Sequence, residues 1–180
     1  MRVIGGVWRG SKISFPDAQG LRPTPDRVRE TLFNWLAPRL RGASVLDCCA
    51  GSGVLGLEAA SRGAAPVLMV ERQADAADLI RQNAQRLGAV QTEVRHGDVL
   101  CVLNRSDGPF DIALVDPPYA MPELRDAIIG RLLDLDLLNP GCWIYLEWPL
   151  AEGYELNVSD LTWIKRKTAG ALGYAIAQWQ

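Results

Sequence analysis

The chain has one histidine, His96, and four cysteines, Cys48, Cys49, Cys101 and Cys142, in 180 residues. None of the cysteines falls into a CxxC pair and His96 completes no ligand set, so no metal centre is expected. Without a disulfide framework, the thiols read as small buried hydrophobes in a reducing compartment. No apolar run approaches the ~20 residues that a membrane-spanning helix requires. Met1 is followed at once by Arg2, without the long apolar core of a secretory leader, so a cytoplasmic protein with no membrane partner is expected. Internal repeats and low-complexity tracts are missing as well.

Net charge is also small. A formal charge of -2 and an isoelectric point near 5.4 give no overall attraction to a polyanion. The distribution is uneven, however. Residues 1 to 41 carry eight basic side chains (Arg2, Arg9, Lys12, Arg22, Arg27, Arg29, Arg39, Arg41) against three acidic ones, a balance of +5 that leaves -7 for the rest. A molecule polarised in this way can meet a polyanion with one face while the remainder stays soluble. The length and a hydrophobic fraction of 48% suit one substantial core. No long apolar surface stripe demands a second copy, so a monomer is expected.

Residues 2 to 16 read as two short strands around a glycine-bearing turn, an N-terminal hairpin over 1–20 ahead of a main domain over 21–180. Thr24 and Pro25 then give a helix-start signal, with Asp26 in the first turn to complement the dipole. Val28, Leu32, Leu36 and Leu40 recur every four residues as one buried stripe, leaving Arg27, Arg29, Arg39 and Arg41 largely for the other faces. A basic hairpin beside a basic amphipathic helix is a plausible phosphate-contacting module, with Arg2, Arg9, Lys12, Arg22, Thr24 and Arg27 as its contacts; for any single arginine, a solvated face is the alternative.

Beyond Gly42 the pattern alternates. Strands are predicted over 44–49, 66–71, 91–96, 111–116 and 142–148, helices over 54–62, 73–87 and 123–134, and a short helical turn within 98–104. Such alternation implies a parallel sheet with right-handed crossovers. Residues 161–168 and 172–179 are two further strands, too close in sequence to pair other than antiparallel. The predicted fold is therefore α/β and Rossmann-like, a mostly parallel seven-stranded sheet ending in an antiparallel hairpin. Trp163 and Trp179 read as packing residues and His96 as a strand residue, while Lys165, Arg166 and Lys167 suit either an RNA contact or a charged edge that discourages aggregation.

The chemistry concentrates in two stretches. In SVLDCCAGSGVLG (44–56) a buried strand ends in Asp47 and breaks into glycines, the way a parallel strand hands over to a helix around a ligand. DPPY (116–119) follows another buried strand, so both stretches should reach the same sheet edge. Gly51, Gly53 and Gly56 also satisfy GxGxxG with Glu71 twenty residues on, which makes a dinucleotide oxidoreductase a competitor. Against it, Asp47 would oppose a pyrophosphate but suit a cationic ligand, a second acid, Asp98, ends the third strand, and no hydride-transfer constellation is evident.

VLDCCAGSGVLGLEAASRG, the strand-ending Glu71, HGD at 96–98 and DPPY resemble the successive motifs of class I S-adenosylmethionine-dependent methyltransferases. With RVIGGVWRG at 2–10 and GLRPTPDRVRETLFNWLAP at 20–38, the resemblance narrows to the RsmD family and covers nearly the whole chain. It implies methylation of the exocyclic N2 of a guanine in 16S ribosomal RNA, with S-adenosylmethionine as cofactor and 16S rRNA or a small-subunit assembly intermediate as partner. It further implies a cofactor site of Asp47, Ala50, Gly51, Ser52, Gly53, Glu71, Arg72, Asp98, Val99 and Asp116, with Glu71 on the ribose and Asp98 or Val99 at the adenine. The catalytic group would be Asp116, Pro117, Pro118 and Tyr119: acceptors on the amine hydrogens, a stiff double proline and a ring to stack on the extruded base. The alternatives are an amino-group methylase acting on DNA adenine or protein glutamine, and a binding protein without turnover.

Overall fold

The computed structural model describes residues 1–15, 24–156 and 158–180. The apolar runs become strands β1 (Val45–Asp47), β2 (Val67–Glu71), β3 (Thr92–His96), β4 (Phe110–Val115) and β5 (Leu138–Pro149). Between and before them lie helices α1 (Asp26–Leu40), α2 (Val54–Ser61), α3 (Ala74–Leu87), α4 (Val99–Val102) and α5 (Pro122–Asp134). Strands β6 (Leu161–Ala169) and β7 (Leu172–Trp179) follow.

Among the described residues the seven strands form one sheet in the order β3-β2-β1-β4-β5-β7-β6. The first five run parallel, while β7 lies antiparallel to both β5 and β6. The final hairpin is thus present as expected, with β7 inserted between β5 and β6. β1 is shorter than predicted because Ser44 turns aside, its N–H and Oγ both donating to Asp111 Oδ2 at 2.9 and 2.8 Å. β5 begins earlier, because Leu138 pairs with Phe110 across an irregularity that precedes the Ile112–Trp143 register.

Each face of the sheet carries a core. Leu32, Phe33, Leu36 and Leu40 of α1 join residues of α2 and α3 over Val45, Ile112, Leu114 and Tyr145. Ile128, Ile129 and Leu132 of α5 and Val99 of α4 cover Leu46, Ala113, Val115 and Ile144 on the other side. The stripe read from sequence is buried as predicted, but Arg29 and Phe33 are buried with it. Arg29 corrects the expectation of an outward face: its guanidinium donates to the Arg2 carbonyl at 3.0 Å and pairs with Asp26 at 2.5 Å.

The two arms of the N-terminal segment meet antiparallel: Arg2 bridges Lys12, Val3 N–H donates to the Ser11 carbonyl at 3.0 Å, and Ile13 N–H to the Met1 carbonyl at 2.9 Å. The turn between them is also pinned to α2. Ile4 N–H donates to Glu58 Oε2 at 2.7 Å, and Val7 and Trp8 N–H donate to the carbonyl and hydroxyl of Ser61. Asn83 of α3 exchanges two hydrogen bonds with the Ser14 backbone. Val3 and Ile13 are buried in the same cluster as α1 to α3. Trp163 packs near Trp148 and Tyr154, and Arg166 lies over the Trp148 and Trp163 rings, so these side chains serve the final hairpin's packing.

Candidate active site

Parallel register decides what meets at the carboxyl edge of the sheet. Asp47 pairs with Met69 and Leu114, and Glu71 with His96. The residues that leave the ends of β1, β2, β3 and β4 therefore share one edge: Asp47, Glu71, Asp98 and Asp116. The glycine turn and DPPY lie on the same side, where an open α/β sheet receives its ligand.

The turn after β1 is built on backbone. Gly51 and Gly53 have φ of 55° and 74°, a region that favours glycine, and Gly53 caps α2 without a side-chain bond. A Cβ on Gly56 would lie 2.5 Å from Met69 Cγ, so this third glycine serves the contact of helix on sheet. Ala50 and Ser52 are buried in the turn, and Ser52 Oγ accepts from Val54 N–H at 3.4 Å. Asp47 is buried beneath the turn and its Oδ2 accepts from Gly56 N–H at 3.0 Å. Burial raises its pKa to about 7, the Gly56 N–H working against that rise and the Glu71 charge adding to it. Its influence on a ligand is thus exerted by its field through the turn.

Glu71 is buried too, with Oε2 accepting from Gly51 N–H and Oε1 from Gln73 N–H, each at 2.7 Å. A carboxylate has about four acceptor positions, so capacity for two ligand hydroxyls remains. The Gly51 N–H that a diphosphate would seek is already aimed at a carboxylate, which makes the turn electronegative and suits a cationic ligand better than a pyrophosphate. Asp98 is exposed and caps α4, accepting from Leu100 N–H at 2.9 Å, while Val99 beside it is buried and Arg72 is exposed past the end of β2.

The DPPY loop leaves β4 with Pro117 buried and Pro118 and Tyr119 exposed. Asp116 is half-buried and meets two groups that the sequence did not announce. Thr24 Oγ1 lies 3.4 Å from Asp116 Oδ2 and donates at 3.1 Å to Glu147 Oε1. Thr24, by sequence a polyanion contact and part of the helix start, is buried and makes no cap, its hydroxyl being engaged with Asp116 and Glu147. Burial and then the neighbouring Glu147 push the Asp116 carboxyl well above the ordinary range.

Arg2, Arg9, Lys12 and Arg27 are exposed on the face formed by the N-terminal segment and α1. A cleft of about 470 Å³ lies there, lined by Arg2, Arg9, Arg27 and Arg62 with Asp26 and Glu30. Arg22 and the expected 20/21 boundary lie outside the described residues. Sequence reasoning missed Glu58, Arg62, Tyr145 and Glu147. A usable signal existed for two of them, since Glu58 interrupts the apolar helix VLGLEAAS and Glu147 the apolar strand WIYLEWP, and a lone acid in such a run needs a built partner. Among the described residues no acidic, histidine or cysteine group could hold a metal ion, and no helix is long and apolar enough to cross a membrane.

Comparison with known proteins gives a consistent picture. The family described as Conserved hypothetical protein 95 matches residues 1–178. The chain is 40% identical over 178 residues to Ribosomal RNA small subunit methyltransferase D of Escherichia coli (strain K12), covering 99% of this chain and 89% of that protein. Against the protein of the same name from Haemophilus influenzae it is 37% identical over 182 residues, covering 99% and 93%. The solved structure of Escherichia coli yhhF superposes with a TM-score of 0.91 at 37% identity over 100% of this chain and 98% of that one. An RNA methyltransferase from Salinibacter ruber, solved with S-adenosyl-L-homocysteine, shares the fold at a TM-score of 0.67 and 18% identity, covering 88% and 94%.

Proposed function

Since this chain belongs to the Conserved hypothetical protein 95 family, the RsmD family of the sequence motifs, we propose that it is an S-adenosylmethionine-dependent methyltransferase of small-subunit ribosomal RNA whose methyl acceptor is the exocyclic N2 of a guanine. The observation that supports this most strongly is the meeting of the glycine turn and Asp116 at one sheet edge, each ringed by carboxylates. S-adenosylmethionine supplies an electrophilic methyl on a positively charged sulfur. The residues present fit it, since an electronegative turn offsets that charge where a diphosphate would be repelled. Ala50, Gly51, Ser52 and Gly53 would bring backbone against the methionine and ribose portions. The unused acceptor positions of Glu71 suit the ribose hydroxyls, Val99 offers an apolar wall to the adenine, and Asp98 and Arg72 stand at its rim.

A guanine amino group is a weak nucleophile because its lone pair is delocalised into the ring. Asp116 and the Pro117 carbonyl, as acceptors on its two hydrogens, oppose that delocalisation, and the double proline keeps them in direction. Tyr119 provides a face for the extruded base. Arg2, Arg9, Lys12 and Arg27 supply backbone contacts to the RNA, and the acids opposite them in the cleft keep the site from binding every anion equally. The chain acts as a monomer on a ribosomal assembly intermediate in the cytoplasm.

The test is transfer from labelled S-adenosylmethionine to undermethylated small ribosomal subunits, naked ribosomal RNA, DNA and protein, with the product nucleoside identified by mass spectrometry. N2-methylguanosine in the ribosomal RNA is the expected product, and N6-methyladenine or methylglutamine would replace this reading. Asp116→Ala should lower the rate about a hundredfold while the affinity for S-adenosylhomocysteine stays within about threefold. An unchanged rate removes Asp116 from the reaction.

A further inference from the structure

Glu147 has no part in the reaction described so far, yet its placement ties it to Asp116. Leu146 pairs with Val115 on the neighbouring parallel strand, so the next residues, Glu147 and Asp116, stand level on one face of the sheet. Glu147 is 1% exposed, and its Oε1 accepts from the Tyr145 hydroxyl at 2.5 Å and from Thr24 Oγ1 at 3.1 Å. The same Thr24 hydroxyl is 3.4 Å from Asp116 Oδ2. It has a single hydrogen and can serve one carboxylate at a time. Two carboxylates separated by one hydroxyl, Glu147 buried and Asp116 half-buried, repel strongly enough to disfavour the state in which both are ionised.

Resting on the methyl-transfer reading above, we propose that Glu147 is a positioning residue: it and Asp116 hold one proton between them across Thr24, and the proton released by the amine enters that pair. In the step, the amine lone pair forms the new N–C bond as the methyl carbon–sulfur bond breaks and its electrons return to sulfur. The surplus N–H proton passes to Asp116 while the shared proton sits on Glu147. The pair is then doubly protonated and neutral until half-buried Asp116 returns one proton to water.

The surroundings agree. Asp116 faces Glu147 from β5, Asp47 and Cys49 from the end of β1, and Arg125 from α5; Glu147 faces Tyr145, which neighbours Tyr174 of β7. Burial, then Glu147, then Asp47 raise the Asp116 carboxyl, with Thr24 and Arg125 opposing, and burial raises Glu147 as well. A folded-state pKa above the ordinary carboxylate range means that the pair keeps its proton until the pH has passed that range.

The decisive variant is Glu147→Gln, a neutral side chain of the same shape. Glu147 is already neutral in the singly protonated pair, so the variant should keep the acidic inflection of kcat against pH and lose the higher inflection, at which the pair gives up its shared proton, with the KM for S-adenosylmethionine within about twofold. Thr24→Val should lower kcat about tenfold and Thr24→Ser should restore it. A purely structural Glu147 would lower the rate equally at every pH and leave the higher inflection in place, which overturns the proposal. Carboxyl 13C resonances of the chain alone supply an arm free of turnover. Asp116 should titrate well above the ordinary carboxylate range in the parent and lower in Glu147→Gln, and titration unmoved between the two also overturns the proposal. If Glu147→Gln does not fold, Asp116→Asn read at the Glu147 resonance measures the same coupling. A parent chain that methylates no small-subunit RNA defeats the functional reading, while the resonances still decide the shared proton.

Discussion

Replacing Asp47 by asparagine should make the protein's stability less dependent on pH. Asp47 is 1% exposed beneath the glycine turn, and burial holds its carboxyl at about 7 where the ordinary value is 3.8. The folded pKa lies above the unfolded one, so the fold favours the protonated form. The group's contribution is fully present below about pH 4, declines as the pH rises, and is exhausted once the pH has passed 7. With about 1.4 kcal/mol for each unit of pH between the two pKa values, the parent chain loses roughly 3 kcal/mol between pH 5 and pH 8 through this one group. The amide introduced by Asp47→Asn would not titrate and would still offer an oxygen to Gly56 N–H. Urea unfolding at pH 5 and pH 8 should therefore show the variant gaining roughly 3 kcal/mol on its parent, a midpoint difference of about 1 M. S-adenosylmethionine, whose charge favours ionised Asp47, should narrow the gap at pH 8 more than S-adenosylhomocysteine does. An identical gap at both pH values would show that Asp47 is not held protonated, and would refute the electrostatic account of the turn.

Gly6 has φ +76°, and a Cβ there would lie 2.0 Å from the Ser61 carbonyl oxygen. Gly6→Ala should destabilise by about 2 to 3 kcal/mol, and a calorimetric Tm equal to the parent's would contradict the pinning of this segment on α2. Replacing Arg9 and Arg27 together by alanine should flatten the slope of log K against log salt for small-subunit RNA by about 1.5; filter binding across a salt series measures it, and an unaltered slope would move the RNA face elsewhere. Tyr119→Phe should keep near-parental transfer while Tyr119→Ala loses about tenfold or more in kcat/KM for RNA, and equal rates for the two would rule out stacking.

The sheet is legible in the sequence because parallel strands buried on both faces are continuous apolar runs, and the acids and glycines that end them stand out against such a background. Asp47, Glu71 and Asp116 can be placed at one edge for that reason. Thr24 eludes such a reading because a Thr-Pro pair before a charged turn is a local signal for a helix start, whereas its hydroxyl answers to Asp116 and Glu147, 92 and 123 residues away. Arg29 looks outward-facing when its charge is weighed without its partners, the Arg2 carbonyl and Asp26. The N-terminal turn reads as a hairpin because glycines between short apolar segments favour one, and its arms do pair, but the anchoring of its Ile4, Val7 and Trp8 N–H groups on Glu58 and Ser61 is not announced. In each case long-range polar partners supply what the local pattern leaves out, and one sequence carries no trace of which distant groups will be neighbours.

The order of the last three strands bears on how the protein is made. Because β7 sits between β5 and β6, the sheet stays divided until β7 emerges from the ribosome's exit tunnel. Until then β5 presents seven residues, Trp143 to Pro149, whose eventual partners have yet to emerge, and β6 has nothing to lie against. A chain stalled before that strand would therefore leave β5 without its antiparallel neighbour and expose its apolar residues to chaperones and proteases.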